Sequence, residues 1–167
     1  EMGIQATDHV IGLNPGSTYG HAKRWLPERF AESADRLADD TGARVVIVGA
    51  SGEEALGQAI AGAMRHRSVV LSGRTSIREL MAIMKRCRLL VTNDTGPMHL
   101  ASAFGTPGVT IYGGGTWPAY APWGDGSIGV VHPLPCFSCG WDCAFGHGLC
   151  VEAVSPAAVI EAMDSLL

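Results

Sequence analysis

Long apolar runs are missing from these 167 residues, and no stretch approaches the ~20 needed to cross a bilayer as a helix. The first residues do not have the charged start and apolar core of a secretory signal, so the chain is expected to be soluble and cytoplasmic. Charge is also scarce. Charged residues make up 17%, with 12 Lys and Arg against 16 Asp and Glu, for a net charge of −4. With no basic patch, a nucleic-acid partner is not expected. The Gly-x-Gly-x-x-Gly fingerprint of dinucleotide-binding turns is absent, although Gly49-Ala-Ser-Gly52 places a glycine turn after an apolar run. No internal repeat or low-complexity segment is visible.

Hydrophobic residues make up 47% of the chain and glycine contributes 22 positions, a globular composition with many tight turns. The length fits one domain, 1–167, long enough to bury a core without staples. The first apolar run begins at Val10 with almost no lead-in, as in a domain taken from a longer chain.

Short runs rich in Val, Ile and Leu alternate with helical patterns. They lie at 10–13, 44–48, 68–71, 89–92, 108–112 and 129–132, without strict alternation, as strands of a parallel sheet covered on both faces should read. Over 76–87, Ile77, Leu80, Met81 and Met84 share a helix face, and Ser76 with Glu79 makes a capping box. Phe30, Ala34, Leu37 and Ala38 form a similar stripe. Ser155-Pro156 opens a last helix whose Val159, Ile160 and Met163 face inward. This order predicts a doubly wound α/β domain with a mainly parallel, Rossmann-like sheet of about six strands. Residues 113–150 are the irregular part, rich in Gly, Pro, Trp and Cys.

In such sheets ligands bind beyond the carboxyl ends of the strands, where the strand order reverses. If the order is 3-2-1-4-5-6, the loops after strands one and four flank that crevice. They read Asn14-Pro-Gly-Ser-Thr-Tyr-Gly-His-Ala-Lys-Arg-Trp25 and Asn93-Asp-Thr-Gly-Pro-Met-His99, the most unusual polar segments in the chain. Pro97 suits the first turn of a helix continuing through Phe104 and stopping at Gly105, with Asp94 or Thr95 as cap. The N–H groups of Thr95, Gly96 and Met98 would then point out of the helix start, where free donors and the dipole favour a diphosphate. Lys23 or Arg24 can neutralise that diphosphate, and Ser17 and Thr18 can donate hydroxyl hydrogen bonds. Asp94 would repel phosphate if it faced it, so it is assigned to sugar hydroxyls or to loop architecture. Taken singly these signals have plainer readings. Asp-Thr-Gly is often only a cap, a Lys-Arg pair is usually solvated, and Trp25 fits a core or lid position. His99 on its own reads as a hydrogen-bonded core histidine. Together, at one crevice, they point to a site.

Asn14-Pro-Gly-Ser with Ala22-Lys-Arg-Trp-Leu-Pro27, then Asn93-Asp-Thr-Gly-Pro-Met-His-Leu-Ala101 and Gly105-Thr-Pro107, resembles the ADP-heptose:lipopolysaccharide heptosyltransferases. The similarity extends over nearly the whole chain and matches their C-terminal domain. It implies the C-terminal half of a GT-B fold, holding the donor ADP-heptose, with inverting transfer that needs no metal or other cofactor for the chemistry. It further implies Lys23 at the phosphate and sugar, where it stabilises the leaving group, with Ser17 and Thr18 at the phosphates. Asp94 would bind heptose hydroxyls, and Thr95, Gly96 and His99 would surround the diphosphate. Glu53 matches an acidic residue near the ribose, with Glu54 as its rival, and residues 73–76 line the adenosine pocket. The catalytic base and the acceptor site belong to the family's N-terminal domain, which this chain is expected to lack. The acceptor implied is lipid-linked lipopolysaccharide core, at the inner face of the inner membrane, or a protein, as in some relatives.

Cys136-x2-Cys139-x3-Cys143-x6-Cys150 crowds four thiols at a spacing compatible with tetrahedral zinc or iron. Some protein-directed heptosyltransferases use such a cluster for iron. A structural metal, a disulfide and free thiols are the three readings, and none is catalytic. Two other functions fit the fold. One is a GT-B enzyme using another nucleotide sugar, such as a UDP-sugar. The other is a non-catalytic nucleotide- or NAD-binding module.

Overall fold

Alternate residues of each central strand belong to opposite cores, which is why the apolar runs do not alternate. Val45 and Ile47 pack into one cluster and Val46 and Val48 into the other; Leu89 and Val91 likewise oppose Leu90. The computed structural model describes residues 4–5, 7–115, 117–140 and 142–167, with His21 described by its backbone alone. Residues 1–3, 6, 116 and 141 of the expected 1–167 span lie outside the described residues.

Six strands form one sheet: β1 (Val10–Asn14), β2 (Arg44–Ile47), β3 (Ser68–Val70), β4 (Leu89–Asn93), β5 (Gly108–Tyr112) and β6 (Ser127–Val131). Their order is β3-β2-β1-β4-β5-β6 and every pairing is parallel, as expected. The sixth strand starts two residues before its expected position because Gly108 of β5 pairs with Ser127. Helices α1 (Pro27–Thr41), α2 (Glu54–Ala63), α3 (Ile77–Arg86), α4 (Gly96–Ala103), α5 (Leu149–Glu152) and α6 (Pro156–Asp164) follow in chain order. Trp25, Phe30, Leu37, Ile60, Val159 and Met163 fill the larger core, whereas Met84 and Ala101 close the smaller one.

The local signals act as read. Pro27 opens α1, and Gly42 ends it in the left-handed region (φ 66°), donating its N–H to Ala38 O. Ser76 caps α3 with both arms of the box formed, and the Ser155 hydroxyl accepts from Ala158 N–H at the start of α6. Trp25 is core: it meets Phe30 edge-on with centroids 5.1 Å apart, and its indole N–H donates to Val154 O at 2.9 Å. Among the described residues no helix is long and apolar enough to cross a membrane.

Candidate functional site

Strands β1 and β4 are neighbours, and each ends in a buried asparagine. Asn14 donates to Thr92 Oγ1 at 3.0 Å and to Thr95 Oγ1 at 2.6 Å. Asn93 donates to Pro15 O at 2.6 Å and accepts the Trp25 N–H at 3.1 Å. Each amide thus leaves its own strand and ties down the loop of the other. This cross-bracing fixes the β1–α1 and β4–α4 loops against each other. Both asparagines stand in the quoted motifs, but their bracing role depends on strand adjacency, and sequence reasoning missed it.

Two hollows open on these loops. One, of about 310 Å³, is bounded by Glu53, Thr75, Ser76, Ile77, Leu80 and Pro97. The other, of about 360 Å³, is bounded by Tyr19, Lys23, Asp94, His99 and Tyr120. Ser17, Thr18, Thr95 and Gly96 line both, so the hollows meet at a saddle between the two loops. That saddle holds the anion-binding features. Thr95 is the N-cap of α4 but makes no side-chain cap, its hydroxyl being engaged by Asn14. Pro97 has no N–H, and Met98 N–H is used by Thr95 O at 3.2 Å, so Met98 is not a free donor as expected. The donors of the helix start therefore reduce to the Thr95–Gly96 turn.

Lys23 and Asp94 form an ion pair at 2.7 Å, with side chains only 8% and 10% exposed. The ammonium also donates to Asp94 O at 3.4 Å and lies 5.1 Å from the centre of the Tyr19 ring. Pairing explains how a carboxylate can face a hollow suited to phosphates: its charge is compensated at contact distance. Below it, the Tyr112 hydroxyl is pushed up from its ordinary range, first by burial and then by the Asp94 charge.

The expected site residues separate cleanly. Ser17, Thr18, Lys23, Asp94, Thr95, Gly96 and His99 all border the second hollow. His99 is exposed there, not a core histidine, because its position on α4 faces away from the sheet. Glu53 lines the first hollow; Glu54 instead turns to the Gly52 N–H at 2.8 Å. Of residues 73–76, only Thr75 and Ser76 reach that wall. Ile77 and Leu80, noted in the sequence only as helix-face residues, add an apolar surface suited to a nucleobase. Arg24 does not line either hollow; it pairs with Glu53 at 3.3 Å.

Of the three readings of the cysteine cluster, the described geometry is that of free thiols. Cys136, Cys139, Cys143 and Cys150 are all free thiols bordering a small hollow of about 110 Å³ beside Phe137 and Phe145. Among the described residues no three His, Cys, Asp or Glu side chains converge on a metal position. The Cys143 thiol donates to His147 O at 2.7 Å and the Cys150 sulfur accepts from Gly114 N–H at 3.2 Å, so these two bond to backbone, not towards a common centre. No disulfide forms between them.

Residues 2–142 match the family described as Glycosyltransferase family 9 (heptosyltransferase). The chain is 32% identical over 164 residues to lipooligosaccharide heptosyltransferase 2 of Campylobacter jejuni, covering 95% of this chain and 51% of that protein. It is similar in structure to E. coli ADP-heptose lps heptosyltransferase II, with a TM-score of 0.85 and 26% identity over 98% of this chain and 48% of the other. E. coli heptosyltransferase WaaC with ADP-2-deoxy-2-fluoro heptose shares the fold, with a TM-score of 0.71 and 22% identity over 96% and 44%. The chain spans about half the length of the curated relatives it matches. With the profile match running through most of the chain, and the parallel sheet and its two braced loops in place, the chain belongs to glycosyltransferase family 9, the heptosyltransferases.

Proposed function

We propose that this chain is the donor-binding domain of an inverting glycosyltransferase that moves heptose from ADP-heptose to a lipopolysaccharide-core acceptor. The observation that carries this reading is the saddle, where two hollows meet over Ser17–Thr18 and Thr95–Gly96 beside the Lys23 ammonium. A nucleoside diphosphate sugar laid across it has its adenine against Ile77 and Leu80 and its ribose hydroxyls at Glu53. Its two phosphates lie at the start of α4, and its sugar lies beside Asp94 and His99. The WaaC complex supports this reading, since a protein of the same fold holds an ADP-heptose analogue.

When the acceptor hydroxyl attacks the anomeric carbon from the opposite face, the bond to the diphosphate oxygen breaks. Its electrons go to ADP, where Lys23 and the Thr95–Gly96 N–H groups meet the growing charge. Asp94 and Glu53 are each committed to a cation. The base that takes the acceptor's proton is assigned, by the resemblance to the heptosyltransferases, to a part of the enzyme outside this span, together with the acceptor site. The whole enzyme is assigned to the cytoplasm, at the inner face of the inner membrane for a lipid-linked acceptor. The transfer is assigned no metal, and the four clustered thiols are assigned a reduced, structural state. Elemental analysis is expected to find no stoichiometric zinc or iron; one ion per chain would mean that the thiols rearrange into a cage.

Titration calorimetry with ADP, UDP and ADP-heptose tests the donor reading. ADP and ADP-heptose should bind, UDP should bind more weakly, and the chain alone should not transfer heptose. Absence of heat with every adenosine ligand would overturn it.

A further inference from the structure

Arg24 sits beside Lys23 in sequence, yet its guanidinium goes elsewhere. One terminal nitrogen donates both to Ser17 O at 2.9 Å and to Glu53 Oε1 at 3.3 Å. The other carboxylate oxygen of Glu53 accepts from Ala50 N–H at 2.9 Å. The carboxylate lies directly over Gly16, where a Cβ would come within 2.0 Å of Oε2. A Cβ on Gly49 would approach the same oxygen to 3.0 Å. Two bare glycines, one backbone donor and one guanidinium thus define where this carboxylate can be.

We propose that Arg24 is a positioning residue for Glu53, not a second phosphate cation: it clasps the carboxylate across Gly16 and so sets selectivity for the ribose hydroxyls. This rests on the donor-site reading above. The electrostatics require such a partner. An uncompensated carboxylate at the nucleoside hollow would repel the diphosphate at the saddle, whereas a paired one keeps lone pairs for hydroxyl donors at little net charge. The Arg24 bond to Ser17 O also joins the clasp to the loop that forms the saddle, so the ribose and phosphate positions are set together. Lys23 and Arg24 therefore divide the two acidic residues of the site between them, one on each side of the phosphates.

Calorimetry with ADP, 2′-deoxy-ADP and 3′-deoxy-ADP on the full chain tests this, using Arg24→Met, Arg24→Lys and Gly16→Ala. The unsubstituted chain should prefer ADP over the weaker-binding of the two deoxy analogues by roughly 10- to 100-fold, as expected for a hydrogen bond to a charged group. Arg24→Met and Gly16→Ala should bring that ratio close to one, and Arg24→Lys should keep part of it. A purely structural role, or a phosphate contact, would weaken all three nucleotides alike, and that result would overturn the clasp. So would an unchanged ratio in Arg24→Met. Should Arg24→Met fail to fold, Gly16→Ala decides alone, because the three atoms nearest its Cβ all belong to the flexible tip of Glu53. If the unsubstituted chain binds ADP and both deoxy analogues equally, the ribose role of Glu53 and the clasp fall together. Absence of ADP binding overturns the donor-site reading itself.

Discussion

Lys23 and Asp94 are nearly as buried as core residues, and burial makes each depend on the other. Removing one partner leaves a largely buried charge with no counterion at contact distance, at a typical loss of up to about 3–5 kcal/mol, whereas replacing both with apolar residues is often neutral. Lys23→Met should therefore destabilise the fold in denaturant titrations, and adding Asp94→Leu should restore most of the loss. Binding should behave differently. The double variant, although stable, should bind ADP roughly 10- to 100-fold more weakly, because the cation at the saddle is gone. A stable double variant with undiminished ADP affinity would remove Lys23 from the site.

Helix α3 carries part of the wall of the first hollow on its first turn, so its cap bears on the proposed site. The Ser76 hydroxyl and N–H bind Glu79 and hold its carboxyl below the ordinary 4.5, the backbone bond being the larger cause. Because the folded value is the lower one, the stabilisation is complete above about pH 4.5 and is lost as pH falls through the folded value. Denaturant titrations of the unsubstituted chain and Glu79→Gln should differ at pH 7 and converge as the pH falls through the lowered folded value. Ser76→Ala should cost about 1 kcal/mol at pH 7, typical of a lost N-cap. It should also weaken ADP binding, since Ile77 and Leu80 follow directly in the chain.

For the whole molecule, any ligand that binds only the folded chain must stabilise it. ADP at a hundred times its Kd should add about 2.7 kcal/mol, equivalent to a melting-temperature rise of about 5–10 °C for a domain this size. UDP at the same concentration should raise it less. Thiol labelling reports on packing independently. Cys136 and Cys139 are exposed, whereas Cys87 is buried in the smaller core and burial pushes its thiol up to about 12. With an alkylating reagent followed by mass spectrometry, the first two should react in the native protein and Cys87 only on unfolding. Native labelling of Cys87 at a comparable rate would contradict the closed α3 face.

The succession of strands and helices along the chain, the capped helices and the two polar loops were legible from residues alone, because they rest on short-range signals; the order of the strands in the sheet entered only as a condition and was decided by the packed structure. Runs of Val and Ile, a Ser-x-x-Glu box, and prolines at helix starts act within a few positions of themselves. Partner choice was not legible. Whether Lys23 or Arg24 serves the phosphates depends on contacts with residues 71 and 29 positions away, and these are decided by how β1 lies against β4 and β2. The same holds for the asparagine braces, for His99 facing out, and for four thiols that share a segment without sharing a centre. Local chemistry sets which elements form. Only the packed sheet, by fixing distances between loops remote in sequence, sets which charge meets which.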